Sequence, residues 1–149
     1  MSVDEQNQIM EKYHVEAMRY MDNAKEYLKN AKKEGNFYRD TKYVRTACGT
    51  AYNGVLIALD CYFTLKGIQI PDNKKVRRSI EFYQKNLSKL DRKMMDNLNG
   101  AYKILHLYGY YDGVEVVNVV KEGFDFANKI IDKIKPKELN GSLKMKTEK

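Results

Sequence analysis

Proline is scarce in this chain: Pro71 and Pro136 are the two among 149 residues, and glycine numbers nine. Long stretches therefore carry no breaker, which disfavours an architecture of short strands and tight turns and favours helices. No apolar run approaches membrane length. The longest aliphatic stretch, Val55 to Leu59, falls far short of the ~20 residues needed to cross a bilayer. The N-terminus, Met-Ser-Val-Asp-Glu, is acidic and lacks the apolar core of a secretory signal, so a cytoplasmic location is expected.

Cysteine and histidine are equally few, two of each. Cys48 and Cys61 fall in one expected helix, where a rise of about 1.5 Å per residue sets them roughly 20 Å apart. A disulfide needs Cα atoms within about 7 Å, so the two cannot bridge. They are too few for a zinc site and read as small core residues. Phosphate-binding glycine loops, the HExxH metal motif, the GxSxG nucleophile elbow and the CxxC pair are all missing. No metal and no cofactor is expected.

What the chain does have is a globular balance, with 43% apolar and 32% charged residues. One domain is expected over residues 1–136, followed by a basic, disordered tail over 137–149. The net charge is +7, and it is unevenly spread. Residues 71–111 carry nine basic and four acidic groups, whereas residues 1–35 carry six and seven.

Apolar positions recur at steps of three and four through most of the chain, the helical period. A first helix is expected from Asp4 to Glu34, with Ile9, Tyr13, Ala17, Met21, Ala24, Leu28 and Ala31 on one stripe and Gly35 closing it. A second should begin at Asp40, a natural N-cap, and end before Gly67. It is the most apolar segment, with Ala47, Ala51, Gly54 and Ala58 as a small-residue strip. A central position, closely approached by a neighbour, follows. A third runs from Asp72 or Asn73 to Leu98, and weak propensity over Asp96–Gly100 predicts a kink. A short helix over residues 100–108 and a turn at residues 109–113 come next. The last helix is expected from Asp112, with Glu115 completing a capping box, to Pro136. The β-branched run around Val116 to Val120 would also suit a strand, and the whole period decides for helix. The fold class is all-α: an up-and-down bundle of four to five helices.

Few residues offer chemistry. His14 sits beside an apolar stripe with no second ligand near it and reads as a boundary histidine. His106 lies just before an aromatic turn, where Tyr102, Tyr111, Asn99 and Asp112 could form a pocket around a general acid or base. An interhelix hydrogen bond is the simpler role for it. Lys74, Lys75, Arg77, Arg78, Lys85, Lys89 and Arg92 form a basic ridge that could hold phosphates. A solvated helix face explains the same run, and Glu81, Asp91 and Asp96 dilute it. The twelve tyrosines join an apolar body to a polar tip, which suits a core edge or a subunit interface.

Certain spacings also carry a resemblance. Ala24-x-x-Tyr27-Leu28-x-x-Ala31 precedes Tyr43-Val44-x-x-Ala47-x-x-x-Ala51-Tyr52-x-x-Val55-x-x-Ala58-Leu59. Ala101-Tyr102 and the turn Tyr110-Tyr111-Asp112-Gly113 then lead into a valine-rich helix. Over residues 10–135 this pattern resembles the HEPN superfamily of nucleotide-binding helical bundles, and within it an uncharacterised bacterial branch. The resemblance implies a bundle that dimerises and, in many members, ribonuclease activity or partnership with a nucleotidyltransferase. Catalytic members place an arginine five to seven residues before a histidine. Here those positions before His106 hold Ala101, Gly100 and Asn99, and the preceding arginine is Arg92. The nuclease motif is not carried over. The expected function is a non-catalytic, homodimeric interaction module that engages protein and not membrane. The alternative is an RNA- or nucleotide-binding HEPN-like protein, a degenerate ribonuclease or toxin–antitoxin component.

Overall fold

The computed structural model describes residues 1–72 and 79–137. Within them the chain is mostly helical, with one two-stranded sheet. The helix α1 spans Val3–Ala31 and α2 spans Thr41–Leu65. Next come α3, Ile80–Leu90, and α4, Arg92–Ala101. A π-helical segment, Tyr102–Tyr111, continues directly from α4, and α5 covers Val117–Asp132. No helix among these residues is long and apolar enough to cross a membrane. The start of the expected third helix and the tail from residue 138 lie outside the described residues.

Helix α1 begins at Ser2, whose side chain accepts a hydrogen bond from the Glu5 amide, and Asp4 and Glu5 occupy the electropositive first turn. It stops three residues earlier than expected. Lys32 leaves the helix with φ of 57°, and a hairpin follows that periodicity did not reveal. Strands β1, Lys33–Glu34, and β2, Phe37–Tyr38, pair antiparallel across a two-residue loop. Gly35 therefore does not cap the helix. Its φ of 61° makes it the first residue of the hairpin loop, a position that glycine fills without strain. Amides of Arg39 and Asp40 then return to the carbonyls of Lys32 and Ala31, tying the hairpin to the end of α1.

Helix α2 starts where the sequence indicates, with Asp40 accepting from the Lys42 amide at 3.1 Å. Its buried residues include Val44, Ala47, Ala51, Val55, Ala58, Leu59 and Phe63, and they face several directions. A helix apolar nearly all round is a buried one. It touches α1, α4, the π segment and α5. A Cβ on Gly54 would lie 3.3 Å from the Ala17 carbonyl oxygen and from Tyr20 Cβ, so this member of the small-residue strip does admit α1 closely. Cys48 and Cys61 are buried and free, and burial pushes both thiols up to about 12.

The expected third helix is broken at a different place. The break falls at Asp91, with φ of −157°, and α4 runs unbroken through Asp96–Gly100. Asp91 acts as a cap twice over. Its amide donates to the Leu87 carbonyl at the end of α3, and its side chain accepts from the Met94 amide at 2.9 Å to start α4. Packing overrides weak propensity in the following turn. Gly100 lies against the Phe126 ring of α5, and Asn99 accepts from Gln84 of α3 at 2.8 Å. Helix α3 is anchored to α2 where the Tyr83 hydroxyl donates to Asp60 at 2.9 Å and the Phe63 ring stacks on Tyr83.

The last helix also starts late. Glu115 forms no capping box with Asp112. Instead the Glu115 carbonyl accepts from the Tyr38 amide, and the Val117 amide donates to the Asn36 carbonyl. Val116 bridges Phe37 in strand-like fashion. The β-branched run thus serves both roles: its first residues extend against the hairpin and the rest wind into α5. Two predictions follow from these joints. Asp91→Ala should cost about 1 kcal/mol in urea unfolding, whereas Asp91→Asn, which keeps the cap, should cost less. In the native protein both cysteines should resist a thiol reagent at pH 8, and both should react once the chain is denatured.

Candidate functional site

The segment Tyr102–Tyr111 is wound more widely than an α-helix. Near its end the Asp112 amide reaches back to the Leu107 carbonyl, five residues away. Extended π-helix is rare and concentrates at functional sites. Widening the turn has a geometric consequence: residues four to five apart come onto one face. Tyr102, His106, Tyr110 and Tyr111 are therefore brought to the side that meets Tyr52 of α2.

His106 is the hub of this group. Its ring lies 4.9 Å from Tyr52 and 5.2 Å from Tyr102, and meets Tyr111 edge-on at 5.0 Å. Tyr110 stacks on it at 6.1 Å and crosses Tyr111 at 5.2 Å. Offset and edge-to-face pairs at such spacings are attractive, each contributing about 0.5–1.5 kcal/mol beyond area burial. Two glycines permit the approach. A Cβ on Gly49 would sit 2.8 Å from the Tyr110 ring, and one on Gly109 would overlap the Cys48 side chain. Arg45 closes the end of the segment by donating to the carbonyls of Tyr110 and Tyr111, a cation at a helix C-terminus. Gly113, with φ of 65°, leaves the space its guanidinium occupies.

Beside the rings opens a cleft of about 500 Å³. Thr46, Thr50 and Asn53, spaced four and three apart on α2, supply its polar wall. His106, Tyr110 and Tyr111 supply the aromatic one. Burial holds the His106 imidazole below its ordinary 6.5 and holds the Tyr52 phenol above 10, with Tyr102 adding to the latter. Both are neutral at pH 7. The lining thus offers rings, hydroxyls, an amide and a neutral imidazole, and no carboxylate among the described residues orients that imidazole. Such a site can stack on a flat group and exchange hydrogen bonds with it. Among the described residues no group of three His, Cys, Asp or Glu side chains could hold a metal ion.

Of the pocket read from the sequence, Tyr102, His106 and Tyr111 do come together. Asn99 does not join them, because it faces Gln84 of α3. Asp112 is exposed at the end of the π segment and is no part of the cleft lining. Tyr52, Tyr110 and the Thr46-Thr50-Asn53 row complete the site, and the helical spacing of that row is its signal in the sequence. His14 is half-buried, and burial and Lys135 lower it while Asp132 raises it. In the basic ridge, Lys85, Lys89 and Arg92 are exposed, but the break at Asp91 puts them on two helices rather than one. Lys74, Lys75, Arg77 and Arg78 lie outside the described residues.

Two measurements probe this geometry. Gly109→Ala should destabilise the protein by about 1–3 kcal/mol in urea unfolding, the usual cost of overpacking. The lowered histidines fix the sign of a pH effect. The folded chain binds fewer protons than the unfolded one near pH 6, so the stability they confer is complete above 6.5 and is lost as pH falls below it. The melting temperature should therefore drop on acidification from pH 7, and His106→Phe should flatten part of that decline.

Comparison with known proteins gives a consistent picture. No curated protein matches the chain. A solved structure, a protein of unknown function from Dyadobacter fermentans, is 39% identical, with a TM-score of 0.73 over 85% of this chain and 95% of that one. Residues 12–136 match the family described as a domain of unknown function, DUF5618, and the chain belongs to that family.

Proposed function

We propose that the chain is a non-catalytic helical interaction module, HEPN-like in plan, that works as a homodimer through the aromatic end of α2 and the π segment. One observation carries this reading: two large side chains stand out from a rigid mount. Tyr110 is 47% exposed and Tyr111 58%. Their rings contact each other and His106, and Arg45 holds their backbone carbonyls. Tyrosine held in one rotamer loses little entropy on binding and supplies wide amphipathic contact. The neighbouring cleft offers a socket for a partner side chain, the arrangement typical of binding hot spots. Among the described residues no carboxylate lines the cleft beside His106. That supports recognition over catalysis.

A second reading has its own support. A cleft walled by stacked rings and by Thr46, Thr50 and Asn53 suits a nucleobase. Light scattering at tens of micromolar separates the two. The first reading predicts a dimer that ignores a short mixed-sequence RNA at low salt. It also predicts that the double variant Tyr110→Glu, Tyr111→Glu is a monomer with an unchanged helical circular dichroism spectrum. A monomeric parent protein, or a variant that still dimerises, contradicts it. A salt-sensitive mass increase with RNA favours the second reading.

A further inference from the structure

A second cleft, of about 540 Å³, lies among the first turns of α1, the last turn of α2 and the end of α5. It shares no residue with the aromatic site. Its floor is apolar: Met10 is buried, and Tyr62 and Leu65 are half-buried. Its rim carries three ammonium groups, on Lys66, Lys133 and Lys137, each exposed. Gln6 and Asn7 add amides from α1, and no carboxylate lines the cleft among the described residues.

Among the described residues the ion pairs use Arg19, Lys29, Arg39 and Lys121, and none of the three rim lysines. Asp132, next in sequence to Lys133, acts on His14. Asp91 is tied to the Tyr62 side of the cleft, but its oxygens accept from the Met94 amide and from the Tyr62 hydroxyl. That bond fixes the Tyr62 ring, and Lys66 Nζ lies 5.5 Å above the ring centroid. Three like charges around one groove repel each other, and an anion between them relieves that repulsion. An apolar floor below the same rim is covered by an aliphatic chain and not by a bare inorganic anion. The volume lies in the range of small-molecule sites, about 300–1,000 Å³.

We propose that this cleft binds a free aliphatic carboxylate. The head sits among Lys66, Lys133 and Lys137, and the tail lies along Met10 and Leu65. Decanoate, kept below its micelle concentration at low salt, is the probe. It should give saturable amide shifts by NMR at Gln6, Asn7 and Lys66, and it should raise the melting temperature. Binding should weaken about tenfold for decanol, which lacks the charge, and about tenfold for the double variant Lys66→Gln, Lys133→Gln. Both lysines are exposed, so the variant keeps its fold. Shifts confined to other parts of the molecule overturn the proposal. So do equal affinities for decanol and decanoate, or for parent and variant. Binding to anionic phospholipid vesicles without binding of monomeric decanoate overturns it as well, because the surface would then read a membrane and not a single chain.

Discussion

Where the π segment crosses α2, Gly109 meets Cys48 and the Tyr110 ring covers Gly49. Both glycines cost helix propensity, roughly 1 kcal/mol each against alanine. The close crossing is what offsets that cost. It brings His106 within ring contact of Tyr52 and buries the Cys48 thiol so deeply that its ionisation is pushed up to about 12. It also places the carbonyls of Tyr110 and Tyr111 within reach of Arg45. A side chain at Gly109 would press on Cys48, and one at Gly49 would displace the Tyr110 ring.

The scaffold around that crossing is built to hold it. Gly54 lets α1 lie close along one side of α2. The Asp91 joint turns the chain so that α4 can run into the π segment, and Gly123 of α5 accommodates Ile104 and Leu105 from below. The hairpin at residues 33–38 secures the other end, since its backbone pairs with Glu115 and Val117 just after the segment closes. The widened helix is thus confined at both ends, which is why a conformation seldom sustained beyond one turn persists here for ten residues.

Much of this was legible from residue pattern. Asp40 as a cap, α2 as the central helix and Gly54 as a point of close approach all follow from helical spacing and residue size. Other features escaped for identifiable reasons. Asp91 looks like one more polar residue in an amphipathic run, and its double capping role exists only once two helices diverge there. Asp96–Gly100 has poor propensity, yet Phe126 and Gln84 supply contacts that a local reading cannot weigh. The hairpin takes six residues with no alternation to announce it. The π segment is invisible to a search at 3.6 residues per turn. The four-residue spacing of Tyr102, His106 and Tyr110 fits an α-helix equally well, so it does not mark the wider winding. The DUF5618 match covers residues 12–136, nearly all of the helical part of the chain.

The central claim is that the aromatic end of α2 and the π segment is the surface through which the molecule works. A dilution series of amide NMR spectra, from about millimolar to about ten micromolar protein, tests it without any substitution. The account predicts concentration-dependent shifts concentrated at Thr46, Gly49, Asn53, Tyr110 and Tyr111. Shifts on another face, or spectra unchanged over the whole range in a protein whose mass is that of a monomer, would contradict it.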